Sequence, residues 1–486
     1  MTRMPYLPSL TRRRLLAGLG ASVTAIALPR RSWGQEMAAD GYRVLHARPG
    51  TARLRGKGER PTPIWGYDGM SPGPTLRVKQ GEELKVRLVN DLDQSTVVHW
   101  HGLRLPNAMD GVPFLTQKPI EPGQSFDYHF APPDAGTFWY HTHFGSSEQL
   151  ARGLYGVLIV EEREAPQVDR DLMLVVDDWR LMDNGEIQPS FGNFHDAMMA
   201  GRLGQYITLN SEDTLDVPVK TNERLRLRIV NTANSRIFQF RIAKHVARLM
   251  AVDGQPSPPE AAPNGLLRLA PGNRVDLFLD ATLEPGARAP ITVDDLRGGE
   301  LELGQLVYDK GAPLRAKPLP EPKPLPDNPP PAKFDLANAF KLDVPLDGGG
   351  MAMMMRGMGG MGGGMGPGGF PGYGVPPQQR IWALAGVSAT GHDGPPMFTV
   401  KRGRTVVLNF ANRTAFSHAM HVHGHHFRQF DASGEGFKPY WLDTVIVDVD
   451  RAERVAFVAD NPGKWMMHCH MIEHMAAGMA AWFHVT

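Results

Sequence analysis

The stretch HCHMIEHMAAGM, at residues 468–479, combines the only cysteine of the chain with three histidines and three methionines. Cys469, His474 and Met479 follow one another at intervals of five residues and offer a thiolate, an imidazole and a thioether. With a second histidine from elsewhere in the chain, these are the ligands of a blue-copper electron-transfer site. A buried structural cysteine needs no such neighbours, and a nucleophile needs one base rather than three imidazoles. The stretch therefore predicts a mononuclear copper site.

Further imidazoles come in His-x-His pairs. The chain has 18 histidines among 486 residues, and random placement would give roughly one such pair. Side chains at i and i+2 of a strand point to the same face, so each pair presents two imidazoles together. Eight imidazoles suffice for three copper ions, and neutral imidazole suits copper. Four such pairs share no residue: His99 with His101, His141 with His143, His421 with His423, and His468 with His470.

The same alternation links the two predicted sites. His468 and His470 face one way along the strand, and Cys469 faces the other. The thiolate can therefore bind a mononuclear copper within its domain while its neighbours bind a copper cluster at an interface. Only a few covalent bonds would separate the two sites.

An internal repeat must supply the strands that position these residues. TLRVKQGEELKVRLVN (75–90), LDVPVKTNERLRLRIVN (215–231) and FTVKRGRTVVLNFAN (398–412) each read as two alternating strands closed by an asparagine. Nine and eleven residues after Asn90 and Asn412 stand histidines, whereas the same offsets after Asn231 give Phe240 and Ile242. We expect three related β-sandwich domains, with copper ligands in the first and third.

A second correspondence separates the two outer repeats. GTFWYHTH (136–143) aligns with GKWMMHCH (463–470), and Thr142 takes the position of Cys469. The third repeat can therefore build a thiolate copper site, and the first cannot.

The motifs HWHG, HTH, HAMHVHGH and HCHMIEHMAAGM, in this order, resemble the four copper motifs of the multicopper oxidases. The likeness covers residues 42–486 and points to the bacterial branch of three-domain laccases and cuprous oxidases. It implies an all-β fold of three cupredoxin-like Greek-key β-sandwich domains. We place them at 42–162, 163–311 and 334–486.

The resemblance also implies four copper ions and their ligands. The type 1 copper would take His418, Cys469 and His474, with Met479 axial. The type 2 copper would take His99 and His421. The type 3 pair would take His101, His141 and His470 for one ion, and His143, His423 and His468 for the other.

The implied activity is a laccase-like oxidation that transfers four single electrons to dioxygen and forms water. Asp110 matches the acidic residue that the family places beside the cluster, although it could also be a turn residue before Gly111. Many bacterial relatives carry a second acid directly after the histidine at 474, where this chain has Met475. Glu473 is adjacent but should point to the opposite face.

The N-terminus has the pattern of an export signal. TRRRLLAGLGASVTAIAL (11–28) places arginines before a short apolar run, which resembles a twin-arginine signal ending near residue 36; a membrane tether is the alternative. We expect a periplasmic or otherwise exported monomer with no transmembrane anchor in its mature form. The first 35 residues hold six arginines and no acid, and the rest of the chain has no basic cluster for nucleic acid.

Two segments fall outside the repeats. The Pro-rich stretch 312–333 is typical of an extended interdomain linker. The insert 348–370 holds seven methionines among glycines, and thioethers favour Cu(I). It is comparable in composition and placement to the Met-rich insert of cuprous oxidases; a low-complexity loop without a role is the alternative.

The partners we expect are dioxygen and a small reducing substrate, which could be a phenol, Cu(I), Mn(II) or Fe(II). A copper-handling scaffold that has lost catalysis is a different class of function, but it should lack ligands that are all present here. A two-domain nitrite reductase would need neither a second His-x-His set nor a middle repeat without ligands.

Overall fold

The computed structural model describes residues 36–262, 265–294, 299–329, 333–349 and 380–486. Almost all of the predicted export signal (1–36) and of the Met/Gly-rich insert (348–370) lies outside these residues. The described residues are mostly strands, as expected of an all-β fold.

The first repeat forms two four-stranded sheets, ordered β2-β1-β4-β6 and β3-β8-β7-β5. Burial alternates along Leu84–Asn90 because one face of this strand packs on the core. Two pairs, β1 with β4 and β3 with β8, are parallel, so the chain crosses between sheets rather than forming simple hairpins. The strands are β1 (Arg43–Ala52), β2 (Thr62–Tyr67), β3 (Leu76–Lys79), β4 (Leu84–Asn90), β5 (His99–His101), β6 (Ser125–Phe130), β7 (Gly136–His141) and β8 (Tyr155–Glu161), with a 3-10 helix at Asn107–Met109 and α1 at Ser146–Gln149.

The middle repeat has sheets ordered β10-β9-β12-β17-β14-β15 and β11-β19-β18-β13-β16. Its apolar core includes Phe240 and Ile242, the residues expected to be core hydrophobes. The strands are β9 (Arg170–Trp179), β10 (Tyr206–Leu209), β11 (Leu215–Val219), β12 (Glu223–Asn231), β13 (Phe238–Ile242), β14 (Arg248–Val252), β15 (Gln255–Ala261), β16 (Leu266–Leu269), β17 (Arg274–Ala281), β18 (Arg288–Asp294) and β19 (Glu300–Tyr308), with α2 at Phe194–Met198.

The third repeat has sheets ordered β21-β20-β24-β29-β26-β27 and β22-β31-β30-β25-β28, and β23 also pairs with β31. The strands are β20 (Phe340–Gly348), β21 (Trp382–Leu384), β22 (Ala389–Thr390), β23 (Thr399–Val400), β24 (Thr405–Asn412), β25 (His418–Val422), β26 (Phe427–Phe430), β27 (Phe437–Leu442), β28 (Thr444–Val447), β29 (Ala452–Val458), β30 (Gly463–Cys469) and β31 (Met479–Val485), with α3 at Ile472–Ala476.

The Pro-rich linker contains no strand or helix in its described residues 312–329, but it is not free of the repeats. Leu325 packs in a buried cluster with Met250 and Phe278 of the middle repeat. The Asn328 side chain accepts a hydrogen bond from the Ala135 N–H at 2.7 Å and donates one to the Ala135 carbonyl at 2.9 Å. The linker therefore lies along both earlier repeats.

The three repeats meet in one shared apolar cluster. It contains Trp139 of the first repeat, Val175 and Val230 of the middle repeat, and Met466 and Ile472 of the third. No helix in the described residues is long and apolar enough to cross a membrane.

Candidate metal centre

A cysteine and two histidines of the third repeat converge at the end of β30. Sγ of Cys469 lies 3.6 Å from Nδ1 of His418 and 3.9 Å from Nδ1 of His474, and the two Nδ1 atoms lie 3.2 Å apart. All three side chains are buried. Donors at this spacing can each lie about 2 Å from one transition-metal ion. The group therefore fits the mononuclear site expected of it.

The opposite nitrogens of the two imidazoles have partners of their own. Nε2 of His418 lies 2.7 Å from Oγ1 of Thr414, and Nε2 of His474 donates to the Met199 carbonyl at 2.7 Å. A hydrogen bond at one ring nitrogen fixes the ring and leaves the other nitrogen as a ligand. Sequence reasoning missed Met199 because it acts through its backbone, from the middle repeat.

The predicted axial residue lies in the same part of the third repeat. Met479 is the first residue of β31, fully buried, and belongs to the same apolar cluster as Cys469. Its axial role stays a prediction.

Eight histidines form a second centre between the first and third repeats. The strand pairing brings them together, since His99 lies opposite His141 and His421 lies opposite His468. All eight are buried. Their donor atoms form three groups, each within 4.8 Å: His99 with His101 and His421, His101 with His141 and His470, and His143 with His423 and His468. The groups include each set that the sequence predicts.

Several of these rings have a buried nitrogen without a hydrogen-bond partner. In four of these rings the opposite nitrogen lies 2.7–3.1 Å from a carbonyl or carboxylate oxygen. Leaving a buried polar atom unsatisfied costs about 1–3 kcal/mol, and a bound metal would satisfy it. The unpartnered atoms of these four rings are Nε2 of His99, Nδ1 of His101, Nε2 of His141 and Nε2 of His421, and both ring nitrogens of His470 are unpartnered as well. This donor set fits copper.

Burial favours the neutral form of several of these imidazoles. It lowers the pKa of His101, His141 and His470 well below 6.5, and repulsion between neighbouring rings lowers it further. Burial also lowers the pKa of His474 to about 4. In contrast, burial raises the pKa of the Cys469 thiol to about 12. The thiolate therefore needs a cation beside it, as a metal ligand must be deprotonated.

Asp110 is both a turn residue and a neighbour of the histidine cluster. It ends the 3-10 helix and precedes Gly111, which has a φ of 76°. Its carboxylate also lies 3.0 Å from Nδ1 of His423, and its carbonyl accepts from Nδ1 of His99 at 2.7 Å. The turn aspartate thus contacts two histidines of the cluster.

Asp443 is a second buried carboxylate at the cluster, and sequence reasoning missed it. Its Oδ1 lies 3.1 Å from Nε2 of His101, and its carbonyl lies 2.8 Å from Nδ1 of His421. Arg274 of the middle repeat donates to it at 3.0 and 2.7 Å. The pKa of Asp443 is held well below 3.8, against desolvation, by Arg274 and then His101. Its one sequence signal is a charge inside the apolar run YWLDTVIV.

Glu473, which precedes His474, belongs to no metal group among the described residues, and the residue after His474 is Met475. The Glu473 carboxylate accepts from the Arg202 N–H at 3.1 Å and the Ser235 hydroxyl at 2.9 Å, both in the middle repeat. Met475 is buried in the cluster shared by the three repeats. The Glu473 carboxylate is therefore engaged by the middle repeat.

The remaining histidines belong to no metal group in the described part of the chain. His425 lies against the backbone, with Nδ1 3.1 Å from the His423 carbonyl. The others are His46, His129, His195, His245, His392, His426 and His484.

Comparison with known proteins gives concordant matches along the chain. Sequence profiles described as multicopper oxidase match residues 50–165, 173–288 and 375–486. The chain is 29% identical over 461 residues to multicopper oxidase MmcO of Mycobacterium tuberculosis, covering 85% of this chain and 81% of that protein. It is 31% identical over 370 residues to copper resistance protein A of Pseudomonas syringae pv. tomato, covering 65% and 59% respectively.

A solved structure also superposes over nearly the whole chain. A multi-copper oxidase from Pseudomonas thermotolerans matches with a TM-score of 0.78 and 34% identity, over 91% of this chain and 98% of that one.

Proposed function

The chain belongs to the multicopper oxidase family, and from this premise we propose that it holds four copper ions at the two centres described above. Membership confirms the predicted family and the fold of three cupredoxin-like β-sandwich domains. It also confirms the class of activity, an oxidoreductase that passes electrons from a reducing substrate to dioxygen. Bound copper supplies the one-electron redox chemistry.

The proposed ligands are the predicted ones. His418, Cys469 and His474, with Met479 axial, would hold the type 1 copper. His99 and His421 would hold the type 2 copper. The type 3 pair would be held by His101, His141 and His470, and by His143, His423 and His468.

One observation carries this proposal: three consecutive residues at the end of β30 reach both centres. Cys469 meets His418 and His474, while its neighbours His468 and His470 belong to separate imidazole groups. A covalent path of side-chain and backbone bonds therefore joins the thiol to two cluster imidazoles. All of these side chains are buried, so water is excluded along the path.

We assign Asp110 to proton supply. Reducing dioxygen to water consumes protons, and a group that delivers them must lie within hydrogen-bond reach of the site. Asp110 is buried between His99 and His423 and satisfies this requirement.

For the electron donor we propose Cu(I), which would make the protein serve copper tolerance. The likeness to a protein named for copper resistance supports this choice. So does the composition of the Met/Gly-rich insert at 348–370, since soft thioethers suit Cu(I). We further propose that the mature protein is an exported monomer, as the arginine-rich N-terminus suggests.

Two measurements test the proposal. Copper analysis of the purified protein should give four ions per chain. Steady-state oxygen uptake should then be compared with Cu(I), Mn(II), Fe(II) and a phenol as donors. A kcat/KM highest for Cu(I) supports the cuprous assignment; a phenol preferred over all three metal ions would refute it and leave a laccase.

A further inference from the structure

The first repeat contains a counterpart of the thiolate centre, and the strand register locates it. Asn90 and Asn412 each donate side-chain hydrogen bonds at 2.7–3.0 Å to two carbonyls, one four residues further on and one on a neighbouring segment. The two loops therefore have the same course. Six residues beyond each asparagine stand Thr96 in the first repeat and His418 in the third.

The next position follows from the histidine ladders. His99 pairs with His141 in the first repeat, as His421 pairs with His468 in the third. The residue after the second histidine is Thr142 in one case and Cys469 in the other. This confirms the equivalence that the sequence motifs predict.

The last two positions follow from the strand after each helix. His141 pairs with Tyr155, and His468 pairs with Ala480. Six residues before these partners stand Gln149 and His474, and one residue before them stand Leu154 and Met479. All four predicted type 1 positions thus have a counterpart in the first repeat: Thr96, Thr142, Gln149 and Leu154.

These counterparts form a closed polar triad. The hydroxyls of Thr96 and Thr142 both donate to Oε1 of Gln149, at 2.8 and 2.7 Å. Nε2 of Gln149 donates to the Ser95 carbonyl at 2.8 Å. Thr96, Thr142, Gln149 and Leu154 are fully buried. The triad joins the segment before β5, the end of β7 and α1, as the thiolate group joins β25, β30 and α3.

The middle repeat shows the contrast. Its Asn231 side chain likewise donates to two carbonyls, those of Arg236 and Leu269. Phe238 pairs with Leu269, which makes Phe238 the counterpart of His418. Phe240 pairs with Val293, which makes Val293 the counterpart of Cys469. Both are buried in the apolar core. In the middle repeat, which has no paired imidazoles, apolar side chains occupy these positions. In the first repeat, which has them, hydrogen-bonded polar side chains occupy the equivalent positions.

We propose that Thr96, Thr142 and Gln149 are positioning residues that do by hydrogen bonding in the first repeat what metal coordination does in the third. They fix the backbone that carries His99, His141 and His143. The pocket they form has the same arrangement of residue positions as the mononuclear metal site of the third repeat. This inference rests on the cluster ligands assigned under the proposed function.

The first test removes the hydroxyl of Thr142 without changing its shape. Thr142→Val should lower oxygen turnover and cluster copper retention against a chelator about tenfold, the effect usual for a group that orients a metal ligand. The blue absorption band should not change, because its ligands lie in the third repeat. Thr142→Ser, which keeps the hydroxyl, should restore both quantities. Equal values for Val, Ser and wild type, or equal losses for Val and Ser, would overturn the positioning role.

The second test restores the pocket by Thr96→His, Thr142→Cys, Gln149→His and Leu154→Met together. A folded variant should bind one additional copper per chain and show about twice the blue band of wild type. A folded variant without additional copper would refute the inference that this pocket has the arrangement of a mononuclear metal site. If the fourfold variant does not fold, the Val and Ser pair still decides the inference. A wild-type protein that binds no copper would instead refute the proposed function.

Discussion

Asp443→Asn should damage both the stability of the protein and its cluster. The Asp443 carboxylate accepts from Arg274 at 3.0 and 2.7 Å, from the Thr444 hydroxyl at 2.8 Å, and lies 3.1 Å from Nε2 of His101. Asparagine has the same shape, but it removes the charge and turns an amide N–H₂ toward one of these donors. The substitution therefore leaves Arg274, which is fully buried, without its main counter-charge.

The magnitude follows from the burial of the pair. Removing one partner of a buried ion pair costs about 3–5 kcal/mol. Asp253 lies 3.6 Å from Arg274 and can replace part of the lost charge. Burial and the neighbouring Asp443 raise the pKa of Asp253, and the substitution removes the second of these causes. We therefore expect a loss near the lower limit, about 3 kcal/mol.

A second pair across the same two repeats provides the control. Arg268 and Asp448 form two hydrogen bonds of 2.6 Å, but their side chains are 46% and 42% exposed. Exposed pairs contribute about 0–1 kcal/mol, so Asp448→Asn should lower the free energy of unfolding by no more than about 1 kcal/mol. Urea denaturation of both variants, without and with copper, measures the difference.

Copper retention separates the two roles of Asp443. Without the carboxylate, the His101 ring loses the acceptor that orients it, so copper should leave the cluster about tenfold more readily. The blue band should persist. If Asp443→Asn is no less stable than Asp448→Asn and keeps its cluster copper, the buried network does not hold the cluster ligands.

The other predictions concern single parts of the proposed machinery. Cys469→Ser should abolish the blue band and nearly all turnover in a folded protein; a retained band would refute the type 1 assignment. His143→Ala should leave the blue site reducible but stop oxygen uptake, and undiminished uptake would exclude a cluster shared by two repeats. Deleting residues 350–366 should raise the KM for Cu(I) while phenol oxidation stays level or rises; an equal loss for both donors would indicate a structural loop. Burial lowers the pKa of His426 to about 4, so the unfolded chain binds its proton first as the pH falls below 6.5, and stability is lost between about pH 6.5 and 4. His426 should thus account for about 2 kcal/mol of the stability lost between pH 7 and 5. In urea titrations at the two pH values, His426→Gln should lose less free energy of unfolding than wild type by this amount.

The grouping of the predicted ligands could be anticipated from sequence because strand geometry is local. Residues at i and i+2 share a face whatever the rest of the fold does, so the His-x-His pairs and the opposite orientation of Cys469 need no tertiary information. Thr142 could be aligned with Cys469 because GTFWYHTH and GKWMMHCH have the same length and the same spacing from glycine to histidine.

Counting residues from one repeat to another was less reliable across loops, because equivalent loops differ in length. Counting from Asn231 aligned Phe240 and Ile242 with the histidines of the other repeats. The register of β13 instead gives Arg241 and Ala243, because the loop of the middle repeat is one residue longer. The conclusion that this repeat carries no copper ligands at these positions is unaffected, since neither side chain is a copper donor. Counting through the helix likewise misses Gln149, because the loop of the first repeat is two residues longer than that of the third.

The contacts that sequence could not supply come from the middle repeat. Its Met199 carbonyl holds His474, and its Arg274 holds Asp443 against His101. Gly272 approaches the cluster so closely that a side chain there would stand 3.0 Å from the His101 ring and 3.1 Å from the His470 ring, and its φ of 90° also favours glycine. None of these contacts has a sequence period, since each depends on how the repeats pack. A repeat without predicted ligands thus touches both centres, so it fixes the geometry of proposed metal sites whose predicted donor atoms all come from its neighbours.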